Sequence, residues 1–223
     1  MLEDISRSVI QSDADIVWCD WFLSFESTER YMSQHINGSA GCFLNGMLDG
    51  SIKYNVWNKL VKRAVYQRYG IRFPDGKSMG EDMTMIKIAS VSQSAVYLPK
   101  AYYHYVKTNL SAMSGKFSEK ALDDLRSNSE DVISFVQEQK CVPESSIAFF
   151  CQSVKLPFLL TGDKPHYYLW RDWFPESNIY IWKNKGTSLR IRFIQWAASR
   201  KLYFIVYVYC RVVQKLVYKY IYK

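Results

Sequence analysis

The run DIVWCDWFLSF, residues 15–25, is the feature that most restricts the fold. It is rich in β-branched and aromatic residues, which favours a buried strand. In the preceding residues 1–12, Leu2, Ile5 and Val9 recur with helical spacing and share one face of a helix. Helical patterns also follow the strand, so we expect the chain to combine strands and helices in an α/β fold.

The segments after this strand alternate between loop, helical and extended patterns. Residues 26–54 are polar and contain glycine, which predicts a loop with short elements. Residues 55–69 predict a helix that Asn55 caps and Gly70 ends. Further on, the patterns predict a helix over about 81–92, short strands at 95–99 and 101–106, helices over 118–139 and 144–161, and a Trp- and Tyr-rich loop over 162–188.

The charge of the chain is unevenly distributed. No acidic residue follows Glu176, whereas ten of the 29 Lys and Arg residues lie between Ser177 and the end. The other 19 and all 21 acidic residues lie in residues 1–176, which therefore carry a net charge of −2. The chain is a nearly neutral body with a strongly basic tail, which says more about its partners than the overall pI does.

The tail, residues 189–223, has the pattern of a basic amphipathic helix. One face carries the apolar and aromatic residues Leu202, Ile205, Val206, Tyr209, Val213, Leu216 and Tyr220. Another face carries basic residues at intervals of four, namely Arg211, Lys215, Lys219 and Lys223. The pattern predicts a helix lying on a membrane surface. Two alternatives remain, a helix docked on the body and, least favoured, nucleic-acid binding. The longest uncharged run of the tail, residues 202–210, has nine residues, too few to span a bilayer.

The cysteines and the N-terminus bear on the compartment. The five cysteines are an odd number and show no CxxC spacing, which favours a reduced, cytoplasmic setting. The acidic N-terminal stretch has no apolar core of the kind found in a signal peptide. Together with the basic tail, these features predict a peripheral protein on the cytoplasmic face of a membrane.

Several motifs occur in a characteristic order. They are ADIVWCDWF (14–22), NVWNKLVKR (55–63), GIRFPDGKSMGEDMTM (70–85) and AVYLPKAYYHYV (95–106), with Ser111 and Ser114 downstream. Together they resemble the second half of the catalytic domain of bacterial family-2 glycosyltransferases of the capsule, O-antigen and exopolysaccharide type. The resemblance covers about residues 1–115.

The resemblance implies a partial GT-A fold, a Rossmann-like α/β remnant that lacks the N-terminal nucleotide-binding half. In the family, that half carries an Asp-x-Asp motif for Mg²⁺ or Mn²⁺, and it would here come from a separate chain or an upstream segment. No metal ligand is assignable in this chain. The string Asp13-Ala14-Asp15 sits at the entry to the first strand, where a polar turn is the preferred interpretation.

The resemblance also implies the site residues. Asp82 matches the carboxylate that takes the proton of the acceptor hydroxyl, and Glu81 would bind the loop backbone or the acceptor. Apart from the resemblance, two acidic residues at a helix start are common. Substrate binding is implied for Trp57, Asn58, Lys59 and His104. The alternatives are a core position for Trp57, a solvent-exposed Lys59 and a structural role for His104.

The function implied is inverting transfer of a sugar from a nucleotide-sugar to a lipid-linked or polysaccharide acceptor. We expect three parts, namely a catalytic half over 1–116, a helical extension over 117–188 and the membrane-surface tail over 189–223. The alternative is a non-catalytic membrane-surface binding module or an inactive fragment, in which neutralising Asp82 would leave membrane binding intact. No nucleic-acid partner is expected.

Overall fold

The computed structural model describes residues 1–35, 39–78, 80–106 and 118–221, with the side chains of the last helix described as far as Val213. The chain divides into two compact units, Met1–Met47 with Ile52–Val142 and Leu48–Ser51 with Pro143–Lys223. Ser111 and Ser114 lie outside the described residues. The functional boundaries predicted after residues 116 and 188 stay predictions.

The first unit contains the predicted α/β core, and the α/β fold class is confirmed. Its described elements follow the order α1 (Leu2–Ser12), β1 (Ile16–Ser24), β2 (Glu29–Met32), α2 (Ala40–Asp49), β3 (Lys59–Val61), α3 (Arg63–Tyr69), α4 (Gly80–Val91), β4 (Ala95–Val106) and α5 (Glu119–Gln139).

The strand β1 organises the sheet. It pairs in parallel with β4 along its whole length. It also pairs antiparallel with two strands, with β3 through its first half and with β2 through its second half. The side chains from Ile16 to Trp21 are all buried, which confirms the predicted buried strand. The two short strands predicted around Pro99 form the single strand β4, whose register against β1 shifts next to Asp20. Proline has no N–H to donate to the ladder, which fits an irregular pairing at this point.

The two faces of β1 differ because successive side chains point to opposite sides of a strand. On one side, called here the Trp21 face, Trp21 packs edge-on against Trp57 at 5.0 Å between ring centroids. On the other, called the Phe22 face, Phe22 stacks on His104 at 4.8 Å. The alternation therefore separates residues that are close in sequence.

The helix predicted over residues 55–69 is wrong in its first half. Residues from Asn55 to Asn58 form an irregular connection, and Lys59–Val61 is the strand β3. The helix α3 begins only at Arg63, and Gly70 ends it as predicted, in the left-handed conformation with φ 62°. The polar stretch 26–54, expected to be mostly loop, contains β2 and α2.

The described part of the second unit is helical. It contains α6 (Glu144–Leu159), α7 (Lys164–Asp172), a 3₁₀ helix (Pro175–Lys183), α8 (Leu189–Ser199) and α9 (Tyr203–Ile221). The predicted Trp- and Tyr-rich loop over 162–188 is wrong for most of its length. Asp163 caps α7 by accepting a hydrogen bond from the His166 amide, and Pro165 follows near the start of the helix.

The basic tail forms two helices, α8 and α9. The corner between them contains Lys201, which has a left-handed backbone with φ 61°. No helix of the described residues is long and apolar enough to cross a membrane. Lys215, Leu216, Lys219 and Tyr220 have side chains that the structure does not describe, and Lys223 lies beyond the described residues.

Candidate active site

Asp82 lies in the first turn of α4 and faces the irregular connection before β3. Its Oδ1 accepts a hydrogen bond of 3.0 Å from the Val56 amide. The residue is half-buried, whereas its neighbour Glu81 is exposed. A helix N-terminus favours an ionised carboxylate because the exposed N–H groups carry partial positive charge. The position holds a carboxylate in place and leaves it accessible to solvent.

Close packing around Gly80 sets where α4 begins. A Cβ at this position would lie 2.1 Å from Cγ of Pro74, so only glycine fits without a shift of the proline ring. The preceding Ser78 donates from its amide to Asp124 Oδ2 at 3.1 Å, and its carbonyl accepts from Asn128 Nδ2 at 2.9 Å. Two residues of α5 therefore hold the chain just ahead of Asp82.

Lys59 is buried at the start of β3, with 8% of its surface exposed. Its Nζ donates to the carbonyl oxygens of Lys53 at 2.7 Å and Asn55 at 2.8 Å, and to Asn58 Oδ1 at 2.8 Å. Burial lowers its pKa to about 7, against an upward contribution from the charge of Asp82. The alternative of a solvent-exposed Lys59 is therefore wrong.

Asn58 joins this connection to the central strand. It is 1% exposed, and its Nδ2 donates to the carbonyl oxygen of Cys19 at 2.7 Å. Its Oδ1 accepts from Asn55 Nδ2 at 2.7 Å as well as from Lys59. Both ends of the amide are bonded within the protein, so the side chain fixes the path of residues 55–59 against β1.

The environment of Asp82 favours the protonated acid more than water does. Burial is the main cause that raises the pKa of Asp82, and the charge of Glu81 adds to it. The Val56 amide and the charge of Lys59 act in the opposite direction. The same site raises the pKa of Tyr54 to about 12, through burial and then through the charge of Asp82. A carboxylate of raised pKa is a better proton acceptor once it is ionised.

Trp57 lies one residue from Val56, in an aromatic cluster on the Trp21 face. Its ring stacks on Tyr103 at 4.4 Å and on Tyr105 at 5.5 Å between centroids. Trp57 is half-buried, whereas Tyr103 and Tyr105 are 36% and 41% exposed. The cluster Trp21, Trp57, Tyr103 and Tyr105 offers exposed ring surface next to the connection that contacts Asp82; sugar stacking on Trp57 stays a prediction.

His104 lies on the Phe22 face, on the side of the sheet away from Trp57. Its Nδ1 is 2.6 Å from Glu29 Oε1 and 3.3 Å from Ser24 Oγ, which also donates to Glu29 at 2.6 Å. These bonds link β4 to the β1–β2 hairpin. The structure therefore brings together Asp82, Lys59, Asn58 and Trp57 but not His104; its substrate role stays a prediction.

Asp20 has a position that the sequence reasoning did not single out. The carboxylate is 1% exposed and accepts hydrogen bonds from the hydroxyls of Tyr31 and Tyr97 and from the Gln34 amide, at 2.5 to 2.7 Å. The bond to Asp20 and burial raise the pKa of Tyr31 to about 12. The sequence signal that could have identified this position is an acidic residue inside an apolar strand pattern. A buried charge requires hydrogen-bonded partners, so such a residue predicts a polar cluster.

The Asp13-Ala14-Asp15 string forms a turn between α1 and β1. Asp13 adopts the left-handed conformation with φ 50°, and its Oδ1 lies 2.6 Å from Lys62 Nζ. Asp15 Oδ2 accepts from the Gln93 amide at 2.8 Å. Both carboxylates thus have protein partners, as expected for a polar turn.

The described residues do not offer the ligand set that the resemblance implies for a divalent cation. Nowhere in these residues do three or more His, Cys, Asp or Glu side chains converge in a way that could hold a metal ion. Asp82 and Glu81 have no third such partner among them. The Mg²⁺ or Mn²⁺ that the resemblance implies for the complete enzyme therefore stays an expectation.

Comparison with solved structures finds a similar fold in a known protein. No protein-family model and no curated protein matches the chain. A crystal structure of residues 1–349 of TarS, a glycosyltransferase from Staphylococcus aureus, in complex with UDP-GlcNAc is similar over 94% of this chain, with a TM-score of 0.52 and 14% identity. This chain spans 63% of that structure. At this identity the likeness shows a glycosyltransferase-like fold and nothing further.

Proposed function

We propose that the chain is the acceptor-side half of an inverting glycosyltransferase that moves a sugar from a nucleotide-sugar to a lipid-linked or polysaccharide acceptor in cell-surface glycan synthesis. The observation that carries the proposal is the half-buried Asp82 carboxylate at the start of α4, with its raised pKa, in a glycosyltransferase-like fold. The family-2 motifs identified in the sequence support the finer assignment.

In this proposal, Asp82 is the catalytic base. Its carboxylate takes the proton of the acceptor hydroxyl as that oxygen attacks the anomeric carbon. The bond between the anomeric carbon and the diphosphate oxygen breaks at the same time, and the nucleoside diphosphate leaves with the electron pair. Attack from the side opposite the leaving group inverts the anomeric centre.

Lys59 and Asn58 act in this proposal by positioning the connection that faces Asp82. The Lys59 ammonium already donates to three protein oxygens, so direct binding to a diphosphate would require exchange of these bonds. Its charge lowers the pKa of Asp82 and so favours the ionised base. Trp57, in the same connection, offers ring surface for the acceptor sugar.

The donor site is assigned in this proposal to residues outside this chain. The nucleotide-binding half, with its Asp-x-Asp motif and divalent cation, would be supplied by a segment upstream or by a separate polypeptide. Positioning of the diphosphate supplies much of the rate in such reactions, so we expect little transfer by the isolated chain.

The test uses the native cell, whose membranes contain any separate donor-binding half. The chromosomal copy is deleted and replaced by wild type, Asp82→Asn or the control Glu81→Gln, and transfer of label from nucleotide-sugars to the lipid and polysaccharide fractions is measured. We expect about a thousandfold loss in Asp82→Asn, because the base is removed. We expect a much smaller loss in Glu81→Gln, because the role implied for Glu81 is to bind the loop backbone or the acceptor and not to take the proton.

Two outcomes would contradict this function. Full transfer by Asp82→Asn would exclude this residue as the base. Unchanged transfer after deletion of the whole chain would show that it does not catalyse the reaction, which leaves the alternative of a non-catalytic binding module.

A further inference from the structure

The inner side of α9 packs within the second unit. Val206 and Cys210, four residues apart, are 0% and 2% exposed. Cys210 Sγ lies 3.0 Å from the Leu159 carbonyl oxygen, and Tyr203 stacks on Tyr167 at 5.4 Å. Of the apolar face predicted to meet a membrane, Val206 is docked on the second unit, whereas Leu202 and Ile205 are 41% and 36% exposed. The helix still has an opposite side.

That opposite side is also apolar in the first half of the helix. Phe204, Val208 and Val212 follow each other at intervals of four and share one face, defined here as the outer face of α9. Their exposed fractions are 77%, 41% and 49%. A helix with apolar residues on both sides is normally buried on both. One side is covered by the protein, and the outer face is open to solvent in this unit.

The charged residues of α9 and of the corner before it have a single sign among the described side chains. Arg200 and Lys201 are exposed at the start of α9, and Arg211 is exposed between Val208 and Val212. The Arg211 guanidinium lies 5.2 Å from the ring of Tyr207, an arrangement in which an aromatic side chain supports a cation beside an apolar surface. No acidic residue occurs after Glu176 to offset these charges.

We propose that the outer face of α9 docks the protein on an anionic lipid bilayer, with the helix axis in the plane of the membrane. Phe204, Val208 and Val212 enter the boundary between headgroups and acyl chains, while Arg200, Lys201 and Arg211 contact lipid phosphates. The other side of the helix stays packed on the second unit. The site is independent of Asp82 and of the sugar-transfer proposal.

The test is vesicle flotation of the full chain. Vesicles of phosphatidylcholine alone are compared with vesicles that also contain phosphatidylglycerol. We expect wild type to float with the anionic vesicles only, and Arg200→Gln/Lys201→Gln/Arg211→Gln to lose roughly a hundredfold in partitioning. Equal flotation with both kinds of vesicle, or none with either, would overturn the proposal.

A matched pair of substitutions tests the apolar contribution. Phe204 and Ile179 are both 77% exposed in the second unit, but Ile179 lies in the 3₁₀ helix. We expect Phe204→Ser/Val208→Ser to reduce partitioning by at least about tenfold, Phe204→Leu to retain it, and Ile179→Ser to leave it unchanged. Equal losses in the Phe204 and Ile179 variants would overturn the assignment to α9. Exposed positions are chosen so that the variants keep the fold, which circular dichroism checks.

Nucleic acid is the competing partner for a basic aromatic surface. It predicts binding to RNA or DNA that weakens steeply with salt and does not depend on Phe204. Nucleic-acid binding stronger than flotation, and retained by Phe204→Ser/Val208→Ser, would contradict the membrane proposal.

Discussion

Each unit of the molecule contains a buried lysine, and the two are bonded in a similar way. Lys59 in the first unit donates to two carbonyl oxygens and an amide oxygen, and Lys155 in the second donates to the carbonyls of Trp173 and Phe174 and to Asn178 Oδ1. Burial lowers the pKa of Lys59 to about 7 and that of Lys155 to about 8. A lowered lysine pKa alone therefore does not mark a functional site.

The neighbours of the two lysines differ. Lys59 lies near Asp82, a half-buried acid whose own pKa is raised. Lys155 is fully buried, and the Trp170 ring lies 4.4 Å from its Nζ. The exposed Glu176 also interacts electrostatically with Lys155, so an acid near the buried cation is common to both arrangements. The half-burial of Asp82 and its raised pKa distinguish the candidate active site from a structural anchor.

The largest effect on stability is expected when either lysine is removed. Lys59→Met and Lys155→Met each leave three oxygen acceptors without their donor, which should lower the free energy of unfolding by about 2 to 4 kcal/mol. Urea denaturation followed by circular dichroism measures this. Only Lys59→Met should raise the pKa of Asp82, which NMR titration measures. An equal rise in the pKa of Asp82 in Lys155→Met would contradict the difference drawn between the two lysines.

Both lysines should also make stability rise with pH. The folded pKa of each lies below the ordinary 10.5, so the unfolded chain binds more protons in between. Relative to its Met variant, wild type should gain stability from about pH 7 to 10.5 at Lys59 and from about pH 8 to 10.5 at Lys155. If the free energies of unfolding of wild type and variant changed equally with pH across this range, the lowered pKa values would be contradicted.

Gly80→Ala should have the next largest effect. The added Cβ would overlap Pro74, and relief of the overlap should cost about 1 to 3 kcal/mol and displace the start of α4. Gly41→Ala in α2 is the control, because the nearest atom to its new Cβ is 3.6 Å away. Thermal unfolding and the transfer assay together separate loss of stability from loss of positioning. Equal effects of the two substitutions would show that the packing of Gly80 is unimportant.

Asp82→Asn should stabilise the protein slightly while it removes activity. The pKa of Asp82 is raised in the folded state, so the ionised group is unfavourable at neutral pH. Because the side chain is partly exposed, we expect only a small gain in the free energy of unfolding at pH 7, on the order of 1 kcal/mol or less. The gain should vanish as the pH falls below the ordinary Asp value of 3.8. Thermal melts at several pH values test this, and a loss of stability at pH 7 would contradict the pKa direction.

The smallest effect is expected for His104→Ala. The contact of His104 with Glu29 lies at the surface, with side chains 54% and 44% exposed. Such pairs add little to stability, so we expect a shift in melting temperature of no more than about 2 °C. An unchanged KM for the acceptor would place the residue outside the substrate site, whereas a clear increase would support its predicted role.

Regular elements were the part of the fold most accessible from sequence. The buried strand β1 and the helices α1, α4, α5 and α6 lie close to their predicted bounds, and Gly70 ends α3 as expected. The helix prediction failed for the connection 55–58 because the spacing of Val56 and Leu60 fits a helix. There, Asn55, Asn58 and Lys59 bind nearby oxygens instead, a known competitor of helical bonding.

The chemical setting of the site was less accessible. The position of Asp82 at a helix start could be predicted from its neighbours Gly80 and Glu81. The burial of Lys59 could not, because lysine is rarely buried and its three acceptors come from a chain path that only the folded protein defines. For the same reason, the separation of His104 from Trp57 became visible only from the pairing of β1 with β4.

The contacts of α5 with Ser78 imply an order of events during synthesis. Asp124 and Asn128 follow Ser78 by 46 and 50 residues, so they leave the ribosome after α4 is already outside. Domains generally fold as units during synthesis, and contacts of long sequence separation form late. A nascent chain that ends before α5 therefore has α4 without its anchor, and Asp82 reaches its final position only when α5 arrives.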